Sequence, residues 1–351
     1  MPGRPATLEP PRRLLVVMPT WLGDCVMATP AIAALRRWAP DAQITAVFRP
    51  AMAGLAEAMP WIDHVVAQQD GLGRLRAALR EARSQGRPDL AVLLPNSFRS
   101  AVLPWAARAK HRLGYNRDGR ALLLTHRLAP PRQSNGQYKP TPAVDYYLDL
   151  IRSVGVPTDQ PRLELHPGED LRAQADDILK NAGLPAYDPR PLALLNPGAQ
   201  RLDKRWPPER FAQVADHLAK THNAALAVNG SPREAEVLQA VCDAAATPIV
   251  DLSKQGMTLA QLPAVVARAS LLITNDTGTR HVAAATGVPV VSLFGPTTLD
   301  WTRIPFDHEI ALCAGDASTP APIDHISVEQ VAQASEALLA NPVPAPADAA
   351  P

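Results

Sequence analysis

Four short segments carry residues whose types and spacing could do chemistry, and each begins where an apolar run ends. The first, MPTWLGDCVMATPA over residues 18–31, follows LLVV and holds Asp24 directly after Gly23. Glycine permits a tight turn, and a carboxylate projecting from a strand-end loop can serve as a general base. The plainer role for an Asp at a helix start is an N-cap. The second, LLPNSFRSAVLPW over 93–105, crowds Asn96, Ser97, Arg99 and Ser100 together. Asn96 and Ser97 could cap the helix that follows. With Arg99, whose guanidinium can grip phosphate or carboxylate in two places, they could also contact a polar substrate.

The third segment, LLNPGAQRLDKRWPPERF over 194–211, places Arg201, Lys204 and Arg205 in one loop before a Pro-started helix. Three cations there suit a diphosphate, although solvated basic loops are common. The fourth, LLITNDTGTRHVAAATGVPVVSLFGPT over 271–297, is the most specific. Asn275, Asp276, Thr277 and Gly278 form a turn ahead of a helix rich in small residues. Free N–H groups and the positive dipole end at such a start make an anion site. His281 could reach the phosphates from there or belong to the core. Phe294-Gly295-Pro296-Thr297 is expected to form a second loop on the same rim.

The elements that must position these loops alternate. Strands are expected at Leu14–Met18, Ile44–Phe48, His64–Ala67 and Leu90–Leu94, with helices at Thr29–Trp38, Leu72–Ser84 and Ala143–Val154. After the Pro-rich stretch VPTDQPRLELHPGED the rhythm resumes. The next strands are Pro191–Leu195, Ala224–Asn229, Leu271–Thr274 and Val288–Phe294. The next helices are Pro208–Lys220, Pro232–Ala245, Thr258–Arg268, Gly278–Thr286 and Val328–Leu339. Runs that are apolar throughout fit strands covered on both faces, so the expected fold is α/β with two doubly wound parallel sheets. Ligands in such sheets bind outside the carboxyl ends of the strands, which puts the site in a cleft between the domains. The expected organisation is a disordered lead-in (1–13), a first domain (14–156), a linker (157–170), a second domain (171–326), a terminal helix (327–340) with the option of packing back on the first domain, and a disordered tail (341–351).

The chain of 351 residues is long enough for two cores. Its net charge of +1 gives no reason to expect a nucleic-acid partner. Cys25, Cys242 and Cys313 form neither a CxxC nor a metal spacing, which fits a reducing compartment. No run is long and apolar enough for a transmembrane span, and the opening MPGRPATLEPPRR lacks the apolar core of a secretory signal. A P-loop GxxxxGK is absent, as is a GxGxxG after the first strand. No Asp-x-Asp occurs to hold a nucleotide diphosphate through a metal, so neither metal nor cofactor is expected, and helix dipole and cations would take that role.

Together WLGDCVMATPA, LLPNSFRSAVLPW, NPGAQ…KRWP and NDTGTRHVAAATGVPVVSLFGPT, in that order, resemble the ADP-heptose:lipopolysaccharide heptosyltransferases of glycosyltransferase family 9. LPNSFRSA with the later HRLGYNRDGRALLL is most similar to the second heptosyltransferase of the inner core. The resemblance spans about residues 14–340. It implies a GT-B fold of two Rossmann-like domains and inverting transfer of heptose from an ADP-sugar donor to a lipid-anchored saccharide, at the inner face of the inner membrane in the cytoplasm. It implies Asp24 as the base and Lys204 on the donor diphosphate. Asp276, Thr277, Gly278 and His281 would line the phosphate loop, Met257 would lie beside adenine, and Asn96, Ser97 and Arg99 near the acceptor. Thr279-Arg280 departs from the family pattern, with Arg280 expected on a phosphate or in solvent. The stretch around Cys313 lacks the several cysteines of many relatives. The alternatives are a related transferase for another sugar nucleotide and a two-domain sugar-binding protein, which would bind donor without forming product.

Overall fold

A computed structural model describes residues 7–68, 72–184, 189–297, 299–316, 319 and 321–341. The chain divides into two compact units, Met1–Leu163 and Glu164–Pro351, with the division inside the Pro-rich segment at 157–170.

The first unit runs β1 (Arg13–Val17), α1 (Leu22–Met27), α2 (Thr29–Trp38), β2 (Gln43–Phe48), β3 (His64–Ala67), α3 (Leu72–Ser84), β4 (Leu90–Leu93), α4 (Phe98–Ala106), β5 (His111–Tyr115), β6 (His126–Leu128) and α5 (Ala143–Arg152). Its six strands lie in the order β3-β2-β1-β4-β5-β6, and every pairing is parallel. Leu14, Leu15, Val16 and all of β4 are buried, as central strands covered on both faces must be. The strand order reverses between β1 and β4. The loops that leave these two strands therefore part in opposite directions and open a crevice at their carboxyl ends.

The second unit repeats this plan. It runs α6 (Glu169–Asn181), β7 (Leu192–Asn196), α7 (Pro208–His222), β8 (Ala225–Val228), α8 (Ala235–Ala244), β9 (Val250–Asp251), α9 (Leu262–Val266), β10 (Leu271–Asn275), α10 (Gly278–Ala285), β11 (Val290–Phe294), β12 (Glu309–Cys313) and α11 (Val328–Ala340). The strand order β12-β11-β10-β7-β8-β9 is the same wiring, with its reversal between β7 and β10. Trp206 and Phe211, edge to face at 5.2 Å between ring centroids, anchor the core. Around them pack Leu218, Val228, Ile273, Leu293, Val331 and Leu338.

Several expectations change. Residues 7–12 are part of the fold rather than a lead-in: Leu8 N–H donates to Val154 O at 2.9 Å, and Pro11 is buried. Residues 1–6 and 342–351 lie outside the described residues. The end of the expected linker is the start of α6, whose Leu171, Ala175 and Leu179 bury one stripe at helical spacing. The terminal helix α11 packs on α7 and beneath β10 and β11, because Val331, Ala334 and Leu338 complete the second unit's own core. β5, β6, β9 and β12 were not among the expected strands: β6 and β9 are only three and two residues long, and β5 and β12 mix polar with apolar residues without a clear alternation. Among the described residues no helix is long and apolar enough to cross a membrane.

Candidate functional site

At the β1 end of the first crevice, Asp24 is the third residue of α1, and the N-cap position is Trp21, whose side chain makes no capping bond. Asp24 is thus not a cap. It is half-buried, and no described residue donates a hydrogen bond to its carboxylate. Burial pushes its carboxyl above the ordinary value of 3.8. The next residue, Cys25, turns inward, its Sγ 3.2 Å from Pro19 O. A carboxylate held this way, with unused lone pairs and raised basicity, is equipped to accept a proton.

At the β4 end, Ser97 takes the plain role. It caps α4 by accepting from Ser100 N–H at 3.3 Å. Arg99 is exposed in the first turn of that helix. Asn96 is held from behind: its Oδ1 accepts from the Tyr146 hydroxyl at 3.1 Å and from the Arg120 guanidinium at 3.4 Å. Arg120 is wholly buried. Its other donors go to Tyr115 O at 3.0 Å, to Ser100 Oγ at 2.9 Å and to Pro95 O. Burial lowers it to about 10, which leaves it charged at neutral pH. In sequence Arg120 belongs with Arg108, Lys110, Arg112 and Arg117 to a basic, solvated or membrane-facing set. The structure removes it from any surface. Arg112 is also engaged, donating to Leu123 O and Ala109 O at 2.6 Å, and Arg117 stacks over the Tyr138 ring at 3.9 Å.

In the second unit the loops after β7 and β10 meet. Lys204 ends a single 3-10 turn (Leu202–Lys204), and its Nζ donates to Asp276 Oδ2 at 2.6 Å. Thr297, from the loop after β11, donates to the same oxygen at 3.3 Å. Of the three cations expected on a diphosphate, Lys204 alone turns to Asp276. Arg201 pairs with Asp203 at the surface, and Arg205 donates to Ala199 O at 2.8 Å. The loop is tied to the sheet by Asn275, which accepts from Trp206 N–H at 3.1 Å and donates to Pro197 O at 2.8 Å. The Trp206 indole N–H donates to Ile326 O at 2.9 Å.

Thr277 is the N-cap of α10 but makes no side-chain cap. Its hydroxyl lies 3.1 Å from Thr274 Oγ1 instead. Among the described residues, the first N–H groups of the helix, at Gly278 onward, are thus left without a side-chain partner at a positive dipole end. Arg280 fulfils neither expectation. It is fully buried, forms a two-pronged pair with Glu309 of β12, and donates to Thr302 O at 2.8 Å. Its charge stands 4.0 Å from Asp276 Oδ1. Glu309 also accepts from Ser292 Oγ at 2.6 Å. No feature of the sequence disclosed this pair, since its members lie on α10 and the edge strand. His281 is 3% exposed, and its buried Nδ1 has no hydrogen-bond partner among the described residues. Burial, with Arg280 beside it, holds the imidazole well below its ordinary value, so it stands there neutral. Met257 is half-buried in the turn after β9. Among the described residues no group of three or more His, Cys, Asp and Glu side chains could hold a metal ion.

In fold the chain is similar to the Escherichia coli ADP-heptose lipopolysaccharide heptosyltransferase II, with 25% identity, a TM-score of 0.78, and coverage of 93% of this chain and 98% of that one. A glycosyltransferase family 9 structure from Veillonella parvula superposes with a TM-score of 0.84 at 28% identity, over 95% of this chain and 99% of that one. In sequence, lipooligosaccharide heptosyltransferase 2 of Haemophilus influenzae is 28% identical over 304 residues, 82% of this chain and 85% of that protein. The profile of glycosyltransferase family 9 (heptosyltransferase) matches residues 74–325. The chain is therefore a member of glycosyltransferase family 9, the heptosyltransferases.

Proposed function

We propose that this enzyme moves heptose from ADP-L-glycero-D-manno-heptose to a saccharide of the lipopolysaccharide inner core, with inversion at the anomeric carbon. The observation that carries the reading is the chemical contrast between the two crevices. One ends in Asp24, whose carboxylate accepts from no described residue. The other ends in a cation and an uncapped helix start, Lys204 and Thr277–Gly278. The first suits an acceptor hydroxyl and the second a diphosphate. Donor and acceptor identity rest on the family and on the named relatives.

In the proposed reaction Asp24 takes the proton of the acceptor hydroxyl as that oxygen attacks the anomeric carbon. The bond from that carbon to the diphosphate oxygen breaks on the opposite face, and its electron pair leaves with ADP. One displacement gives one inversion. Negative charge grows on the leaving diphosphate, where preorganised donors count most. Lys204 and the N–H groups of Thr277 and Gly278 supply them. Asp276 orients Lys204, and Met257 lies toward the base. Asn96, Ser97 and Arg99 serve the acceptor, which its lipid anchor holds at a membrane surface.

The test is ADP release from ADP-heptose with and without a heptosylated inner-core acceptor, for the parent and for Asp24→Ala. Acceptor-dependent release that vanishes in the variant supports both class and base. Release only from a different sugar nucleotide discards the sugar and keeps the transfer. ADP-heptose binding without product would return the chain to a binding role.

A further inference from the structure

Asn96 has one end committed and the other open. A guanidinium only donates hydrogen bonds, so the Asn96 atom facing Arg120 must be the carbonyl oxygen. The Tyr146 hydroxyl converges on the same oxygen. The amide nitrogen is thereby turned away from both, and it donates to no described residue.

Much of the HRLGYNRDGR segment serves to build this arrangement. A Cβ at Gly114 would come within 3.2 Å of the Arg120 guanidinium and 3.1 Å of Leu124 Cδ2, so glycine leaves the space the guanidinium fills. Asp118 and Gly119, at φ 54 and 74, make the left-handed turn that brings Arg120 back under the loop. The Tyr146 ring stacks on Tyr115 at 3.8 Å between centroids, and the Tyr115 hydroxyl donates to Tyr146 O at 2.7 Å. Burying a guanidinium is costly, and here it meets no carboxylate within ion-pair distance among the described residues. Its donors go to two carbonyls, one hydroxyl and Asn96. Two of these acceptors, Pro95 O and Asn96 Oδ1, belong to the loop that leaves β4.

We propose that Arg120 and Tyr146 are positioning residues that hold Asn96 as an obligate hydrogen-bond donor, presenting its amide nitrogen at the carboxyl end of β4 to an oxygen of the saccharide acceptor. This rests on the reading of the first unit as the acceptor side. It also sets the chemistry of the partner: a hydroxyl or carboxylate oxygen with a free lone pair, not an ammonium or another donor-only group.

The experiment separates donation from architecture. Asn96→Asp keeps the shape and accepts from Arg120 and Tyr146 at least as well, so a merely structural role is preserved, but the carboxylate cannot donate. Asn96→Ala removes the donor without adding charge, and Tyr146→Phe keeps the ring stack while releasing the amide. ADP release is measured with ADP-heptose and a heptosylated inner-core acceptor, each varied in turn. Asn96→Asp is expected to melt no lower than the parent. Its acceptor KM should rise about 2- to 12-fold, the range of a single hydrogen bond, at unchanged KM for ADP-heptose. Asn96→Ala should follow it and Tyr146→Phe should show a smaller rise in the same constant. An active parent whose Asn96→Ala variant keeps the parental acceptor KM, with Asn96→Asp unchanged as well, overturns this proposal and leaves the transferase reading standing. A parent without acceptor-dependent ADP release overturns both.

Discussion

Lys204 Nζ lies 2.6 Å from Asp276 Oδ2, joining the loop after β7 to the loop after β10 at the point where the second sheet reverses its strand order. The Asp276 side chain is 7% exposed and that of Lys204 19%, so each is largely withdrawn from water and depends on the other. Lys204→Ala should therefore act twice. It should weaken ADP binding, and it should lower stability by about 1–3 kcal/mol because a nearly buried carboxylate loses its charged hydrogen-bond donor and keeps only the Thr297 hydroxyl on that oxygen. In a double-mutant cycle with Asp276→Asn, the two sites should couple by roughly 0.5–3 kcal/mol. Urea unfolding and calorimetric ADP titration measure both effects, and an unchanged midpoint together with an unchanged affinity would remove the pair from the site.

Asp24→Asn keeps the shape of the side chain and removes its basicity. Turnover is expected to fall on the order of 10²–10⁴-fold, the usual contribution of a general base, with ADP affinity close to the parent's. The pH profile carries a second signature. Burial raises the Asp24 carboxyl above 3.8, and the base works only when ionised. Activity should therefore be full on the alkaline side and fall as pH drops through that raised value, earlier than an ordinary aspartate would give. An acid limb that survives unchanged in the residual activity of Asp24→Asn would assign that limb to another group.

The Arg280–Glu309 pair is buried on both sides, with 0% and 8% of the side chains exposed. Removing one partner strands the other charge, a loss of about 3–5 kcal/mol. Arg280→Met and Glu309→Leu should each destabilise by about that much, and the double variant by clearly less than the sum. Chemical denaturation of the three variants decides this, and strict additivity would mean that the two charges do not rely on each other.

His281 gives a stability test with a defined sign. Its folded-state pKa is depressed, first by burial and then by Arg280. In the unfolded chain it takes up a proton near pH 6.5. Its contribution is thus fully present above about pH 6.5 and is lost as pH falls toward the depressed value, at up to about 1.4 kcal/mol per pH unit. His281→Gln should flatten that acid-side decline. Melting curves for parent and variant at pH 7.5 and 5.5 supply the comparison, and parallel declines would mean that His281 is protonated in the folded protein.

Much was legible in the residues themselves. Apolar runs such as LLVV and LAVL, short and followed by turn residues, fit strands covered on both faces, and the glycine and Asp at Gly23–Asp24 and Asp276–Gly278 mark turns that follow strands. The order of the motifs carried the family. Sequence alone also implied that these loops share the carboxyl rim of a parallel sheet.

Contacts between residues distant in the chain were not legible, because periodicity describes one element at a time. Arg201, Lys204 and Arg205 are equivalent cations in sequence. Packing of Trp206 and Asn275 sends Lys204 to Asp276 and leaves Arg201 on its neighbour Asp203. Arg120 has the composition of a surface residue, and only the space left by Gly114 together with the turn at Asp118–Gly119 admits it to the interior. The three-dimensional fold also decided which loops become neighbours. Strand order reverses at β1/β4 and again at β7/β10, so segments about 70 residues apart flank one crevice. That pairing follows from which sheet edge each crossover helix covers, and no local pattern encodes it.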